Sequence, residues 1–194
     1  MGPARSAVRP CSNDRVSDIN ASLGPLERVN DRWIVGDYLR PGSVWLEFGA
    51  DGLYQHAGRE GRAGKTEEQV IPWSRVMLIG FTLGGKHPPK GSYGVRALLG
   101  GLPGPWRGHG RGYLHLTLRH PYENGLVTFD RHPRWYDLTD LSWFQELLRQ
   151  TAGEGEAHRF ADAEWLGRAV GALAGQRIRS ARGMRDAVAA ARQL

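Results

Sequence analysis

The sequence predicts an α+β fold with strands first and helices last, and two observations carry that expectation. Between Trp33 and Leu138 the apolar residues recur mostly with period two, the mark of half-buried strands. From Leu141 onward the spacing becomes three and four, as on the buried face of a helix. Blocks segregated in this way build a sheet layer and a helix layer, not an alternating, doubly wound sheet. A chain of 194 residues has room for one such domain and a helical appendage. The expected organisation is a flexible tail over 1–30, a folded domain over 31–150 and a helical extension over 151–194.

The elements follow in order. Residues 1–30 mix Arg, Asp, Asn, Ser and Pro without periodicity. Val44, Leu46 and Phe48 alternate with Trp45 and Glu47 as a strand, and Ala50-Asp51-Gly52 supplies tight-turn chemistry before a returning strand, Leu53 to Ala57. A polar connection, Gly58 to Gln69, leads to Val70-Ile71. Arg75 to Leu83 is continuous, β-branched and apolar, and is expected to be the most buried strand. Over Gly112 to Arg119, Leu114, Leu116 and Leu118 point one way and Tyr113, His115 and Thr117 the other. Glu123-Asn124-Gly125 turns the chain into Leu126 to Phe129, and Arg134 to Leu138 is a candidate last strand. Leu141, Phe144, Leu147 and Leu148 then form a helical stripe, with Asp140 or Ser142 as the expected cap. After Gly153-Glu154-Gly155, Asp162 can cap a second helix whose Leu166, Val170 and Leu173 share a face. Gly175 separates this from an Arg- and Ala-rich third helical segment, Gln176 to Leu194.

Composition excludes several classes of function. Cys11 is the only cysteine, so neither an intramolecular disulfide nor a cysteine-rich zinc site can form. A reducing, cytoplasmic interior is the expected location. No apolar stretch follows the N-terminal arginines, so a secretory signal is not expected. The longest apolar run, Val76 to Phe81, is far too short to cross a bilayer.

The hairpin from Trp45 to Tyr54, with Asp51-Gly52-Leu53 at its turn, and the run Ile71-Pro72-Trp73-Ser74-Arg75-Val76 resemble the corresponding parts of bacterial PH-like domains. The resemblance covers residues 44–150. It implies a bent antiparallel sheet in an open barrel, closed by a C-terminal helix over Asp140 to Gln150. It also implies binding or scaffolding more than catalysis. The connection from Gly84 to Arg111 is longer than a plain PH-like domain needs, and the helices after Gly153 are additions to it.

The most informative chemical feature is a charge asymmetry. The chain carries a formal charge of +6, and between Glu68 and Glu123 there is no Asp or Glu at all. That interval holds Arg75, Lys86, Lys90, Arg96, Arg107, Arg111 and Arg119, together with His87, His109, His115 and His120. Within it, residues 84–112 contain ten Gly and four Pro, which marks a long loop. Glycine exposes backbone N–H groups, the Arg fork matches phosphate and carboxylate oxygens, and an aromatic can stack or sit at an interface. Lys86, Lys90, Arg96, Trp106, Arg107 and Arg111 are therefore the candidate ligand-binding residues. The bland alternative is a solvated insertion in an Arg-rich chain.

Other chemistries find no support in the spacing. Gly58 to Thr66 resembles a phosphate loop, but Gly58 stands one residue too far from Gly64-Lys65-Thr66, and a strand follows it instead of a helix. His109, His115 and His120 share their interval with no carboxylate or thiolate, so no metal is expected. No Gly-x-Ser-x-Gly elbow occurs, and no catalytic residue or cofactor is assigned. The expected function is a non-enzymatic binding or scaffolding module. Its basic loop would engage an acidic protein segment or an anionic membrane surface. Nucleic-acid binding through the same residues ranks below it, and self-association through the C-terminal helices is a third reading.

Overall fold

The computed structural model describes residues 22–57, 67–83 and 110–194. These form nine strands followed by three α-helices. The first six strands make an antiparallel meander in chain order: β1 (Ser22–Leu23), β2 (Leu26–Val29), β3 (Arg32–Val35), β4 (Val44–Phe48), β5 (Gly52–Ala57) and β6 (Glu67–Pro72). A single 3₁₀ turn, Trp73–Arg75, passes the chain to a second antiparallel sheet. That sheet consists of β7 (Val76–Leu83), β8 (Arg111–Leu118) and β9 (Glu123–Asp130). The helices are α1 (Leu138–Gly153), α2 (Ala163–Leu173) and α3 (Ala181–Ala191). Among the described residues no strand pairing joins the two sheets, so they do not close into a barrel. Side-chain bonds tie them instead: the Asp130 carboxylate accepts from the Val44 N–H at 2.8 Å, and Gln55 Nε2 donates to the Thr128 carbonyl at 2.9 Å.

Residues 22–29 are strands and not tail. Leu23 and Leu26 are fully buried, each worth about 1.5–3 kcal/mol when removed from water. Two tight loops fold this segment back on itself. Gly24-Pro25 joins β1 to β2 with Gly24 at φ +60°, and Asn30-Asp31 joins β2 to β3 with Asn30 at φ +54°. Both are two-residue hairpin connections that start on a positive φ. Strands of two and four residues are too short for period-two alternation to register.

The central hairpin follows expectation, pairing Phe48 with Leu53 and Val44 with Ala57. Trp73 fixes its turn, packing edge-on against Phe48 at 5.7 Å and lying near Phe160. In the second sheet Ile79 and Phe81 of β7, Leu114 and Leu116 of β8, and Val127 and Phe129 of β9 face the core. A register shift between Val76 and Leu78 leaves Leu78 half exposed on the edge of this otherwise buried strand.

The segment expected as a last strand, Arg134 to Leu138, is an irregular linker up to Asp137, which caps α1 by accepting from the Thr139 N–H at 2.6 Å. Asp140 and Ser142, the expected caps, lie inside the helix, and the Ser142 hydroxyl donates back to the Leu138 carbonyl. Helix α1 is buried on nearly all sides, polar residues Glu146, Gln150 and Thr151 included. The cause is tertiary: Phe144 packs on Phe81 of β7, while Trp143 Nε1 donates to the Gln176 carbonyl and Gln150 Nε2 to the Arg185 carbonyl.

Asp162 caps α2 through the Glu164 and Trp165 N–H groups, and Leu166, Val170 and Leu173 are fully buried, as the spacing indicates. The third helix is shorter than the segment Gln176 to Leu194, because Ser180 caps it and Met184, Val188 and Ala191 supply its buried face. The buried residues of the C-terminal helices thus belong to the same core cluster as those of the sheets.

Candidate anion-binding end of the sheets

The register gathers six strand ends at one end of the molecule. Val44 pairs with Ala57, Ala57 with Glu67, Leu83 with Gly112, and Arg111 with Asp130. Asp130 is the hub. Its carbonyl accepts from the Asp37 N–H at 2.8 Å, and its carboxylate accepts from Val44 and pairs with Arg40 at 2.9 Å. The chain leaves the described residues after Ala57 and after Leu83, and returns at Glu67 and Gly110, all at this end. Lys86, Lys90, Arg96, Trp106 and Arg107 lie outside the described residues. Of the candidate ligand-binding residues, only Arg111 is described.

Arg111 is exposed at the start of β8, opposite Asp130 in register, and makes no ion pair among the described residues. Arg131 follows Asp130 and is 9% exposed. Its backbone N–H donates to the Gly110 carbonyl at 2.8 Å. Its guanidinium lies flat enough against Gly110 that a Cβ there would collide with it. Nε of Arg131 is buried with no hydrogen-bond partner, and no carboxylate pairs with its guanidinium among the described residues. Burying an unpaired charge is unfavourable, and Arg stays protonated at any working pH.

The carboxylate that binds the neighbouring linker is already engaged. Glu27 of β2 lies 3.1 Å from His132 Nε2 and 2.7 Å from the Arg134 guanidinium. His132 Nδ1 lies 2.8 Å from the Tyr136 hydroxyl, which also accepts the His132 backbone N–H at 2.9 Å. Burial pushes the Tyr136 phenol up to about 12, against the lowering effect of its hydrogen bond to His132 and of the charges on Arg134 and Arg131. Burial also pushes the Glu27 carboxyl up. Its hydrogen bond to His132 and the charges of His132 and Arg134 outweigh that push and hold it below the usual range. This constellation fastens the linker 131–137 to the first hairpin.

The structure separates residues that the sequence groups. Arg75 and Arg119 belong to the acid-free interval but lie at the opposite end of β7 and β8, where Arg75 pairs with Glu123 at 2.6 Å. His115 sits mid-strand with Nε2 2.9 Å from the Thr82 hydroxyl oxygen, and burial holds its imidazole below the usual histidine range. It therefore gains charge at a lower pH than an exposed histidine. Arg131 escapes sequence reading because it stands outside the acid-free interval and beside an Asp, where it looks charge-balanced.

A second surface extends from the loop between β3 and β4 across the outer face of the first sheet. There Trp45 stacks on His56 at 3.9 Å, Tyr38 meets Trp45 edge-on, and His56 Nε2 lies 3.1 Å from the Glu47 carboxylate. Trp33 is core, with Nε1 donating to the Ala163 carbonyl, whereas Trp135 is half exposed. Among the described residues no group of three or more His, Cys, Asp or Glu is placed to hold a metal ion, and no helix is long and apolar enough to cross a membrane. No family model, curated protein or solved structure matches the chain.

Proposed function

We propose that this protein is a non-enzymatic binding module of the PH-like type that engages an acidic partner at the loop end of its sheets. One observation supports the reading above others: among the described residues no carboxylate pairs with Arg111 or Arg131, which stand where the acid-free segment 84–109 rejoins the sheets. Arg40, by contrast, is engaged by Asp130 at the same end. Lys86, Lys90, Arg96, Arg107 and Arg111 supply the long-range attraction in this reading, with Trp106 as the contact aromatic. Attraction of this kind weakens once the Debye length falls to a few ångströms.

The test is co-sedimentation with phosphatidylserine-containing and pure phosphatidylcholine vesicles, alongside pull-down on an immobilised poly-glutamate peptide, each at low and high salt. Native protein is compared with a variant carrying Glu at Lys86, Lys90, Arg107 and Arg111. Salt-sensitive binding to the anionic vesicles or to the peptide, lost in the variant, supports the module and says which partner it takes. Absence of binding to both, with a folded native protein, overturns it. Preference for single-stranded DNA over both would move the function to nucleic acid, with Trp106 as the stacking residue to test next.

A further inference from the structure

Arg131 is the most demanding charge among the described residues of the loop end. Nine-tenths of it is buried, its Nε is sealed from solvent, and Gly110 backs the guanidinium. Among the described residues neither Nη group has a hydrogen-bond partner, so these are the donors available to a ligand. Among the described residues no carboxylate neutralises them. Asp130 is taken by Arg40 and the Val44 N–H. Glu27 is taken by His132 and Arg134. The segment that rejoins the sheet at Gly110, residues 84–109, contains no Asp or Glu. A guanidinium buried against Gly110, stripped of part of its hydration and without a partner among the described residues, suits two parallel bonds to an oxyanion.

We propose that Arg131, backed by Gly110, forms an oxyanion-receiving site that accepts one carboxylate or phosphate group through its Nη edge. The site rests on the binding reading above and names the chemical group that the acidic partner would insert. Gly110 is part of the device: any Cβ at that position displaces the guanidinium. Arg111, one residue on and solvent-facing, adds a second charge to attract the same group.

The experiment is thermal unfolding of the full chain in sodium phosphate, sodium acetate and sodium chloride at matched ionic strength. Native protein is compared with Arg131→Met, Arg131→Lys and Gly110→Ala. Native protein is expected to gain about 2 °C or more in phosphate or acetate over chloride, beyond any gain of Arg131→Met. Phosphate stabilises most proteins by exclusion from their surfaces, and the Met variant measures that general effect. In chloride, Arg131→Met is expected to melt no lower than native, because it removes a buried charge that has no partner. Arg131→Lys and Gly110→Ala should keep the charge and lose most of the anion response. The larger response, phosphate or acetate, tells which group the site prefers.

An equal anion response in native and Arg131→Met overturns the site, and so does no response in native. A marked drop in melting temperature for Arg131→Met in chloride also overturns it, because Arg131 would then be structural. An anion response that depends on Arg131, in a protein that binds neither vesicle nor acidic peptide, leaves the site standing and removes the docking reading. Partner binding that is unaffected by Arg131→Met does the reverse.

Discussion

The indole N–H of Trp73 donates to the carbonyl of Gly49 at 2.8 Å, and the Trp73 backbone N–H donates to Asp51. One side chain, sitting at the only covalent link between the two sheets, thereby closes the β4–β5 turn of the first. Trp73→Phe keeps much of the ring and loses the donor, leaving the Gly49 carbonyl without it. The expected loss is about 1–3 kcal/mol in urea-induced unfolding. Trp73→Ala should cost about 3–5 kcal/mol.

Glu27 ties the first hairpin to the linker before α1. Its carboxyl titrates below the usual range in the folded protein, so its contribution is present above the unfolded value near 4.5 and is lost as pH falls through the folded value. Glu27→Gln should therefore destabilise the protein at pH 7. The gap between native and variant should narrow steadily below pH 4.5. Parallel denaturant titrations at several pH values measure it, and a gap that stays constant down to pH 2.5 counts against the assignment.

Tyr136 is raised to about 12. A raised phenol contributes stability that is complete below the unfolded value near 10 and lost between there and the folded value. Absorbance at 295 nm should show the Tyr136 phenol still protonated at pH 11 in the native protein. Tyr136→Phe should abolish that late step. It should also cost about 1–3 kcal/mol at neutral pH, since the buried His132 N–H loses its acceptor.

Arg192, at the end of α3, is 1% exposed and reaches Glu154 and Glu156 at 2.7 Å each. Its hydrogen bonds and charge hold both carboxyls below their usual range, against the opposing push of burial. Glu154→Gln together with Glu156→Gln leaves the guanidinium without a counter-charge. The expected loss is about 1–3 kcal/mol, larger than for an exposed pair. Amide exchange in α3 should accelerate before exchange in β8, because α3 packs mainly on α1 and α2.

Sequence alone determined the order of strands before helices, the hairpin from Val44 to Ala57, the strands β7 and β8, and the cap at Asp162. These rest on local rules: alternation and side-chain capping act over a few residues. Tertiary structure decided the rest. The hairpin at 22–35 exists because Leu23 and Leu26 find a core on distant elements, not because two or four residues specify a strand. Helix α1 is buried on nearly all sides because β7, β1 and α3 cover different faces of it, and its own stripe records only one of those faces. The acid-free interval likewise looks like one basic region along the chain. Pairing sends Arg75 and Arg119 to one end of the second sheet and Arg111 to the other, while Arg131 joins Arg111 from outside the interval. Which carboxylate neutralises which arginine is settled by strand register and burial, and those are non-local quantities that no spacing encodes.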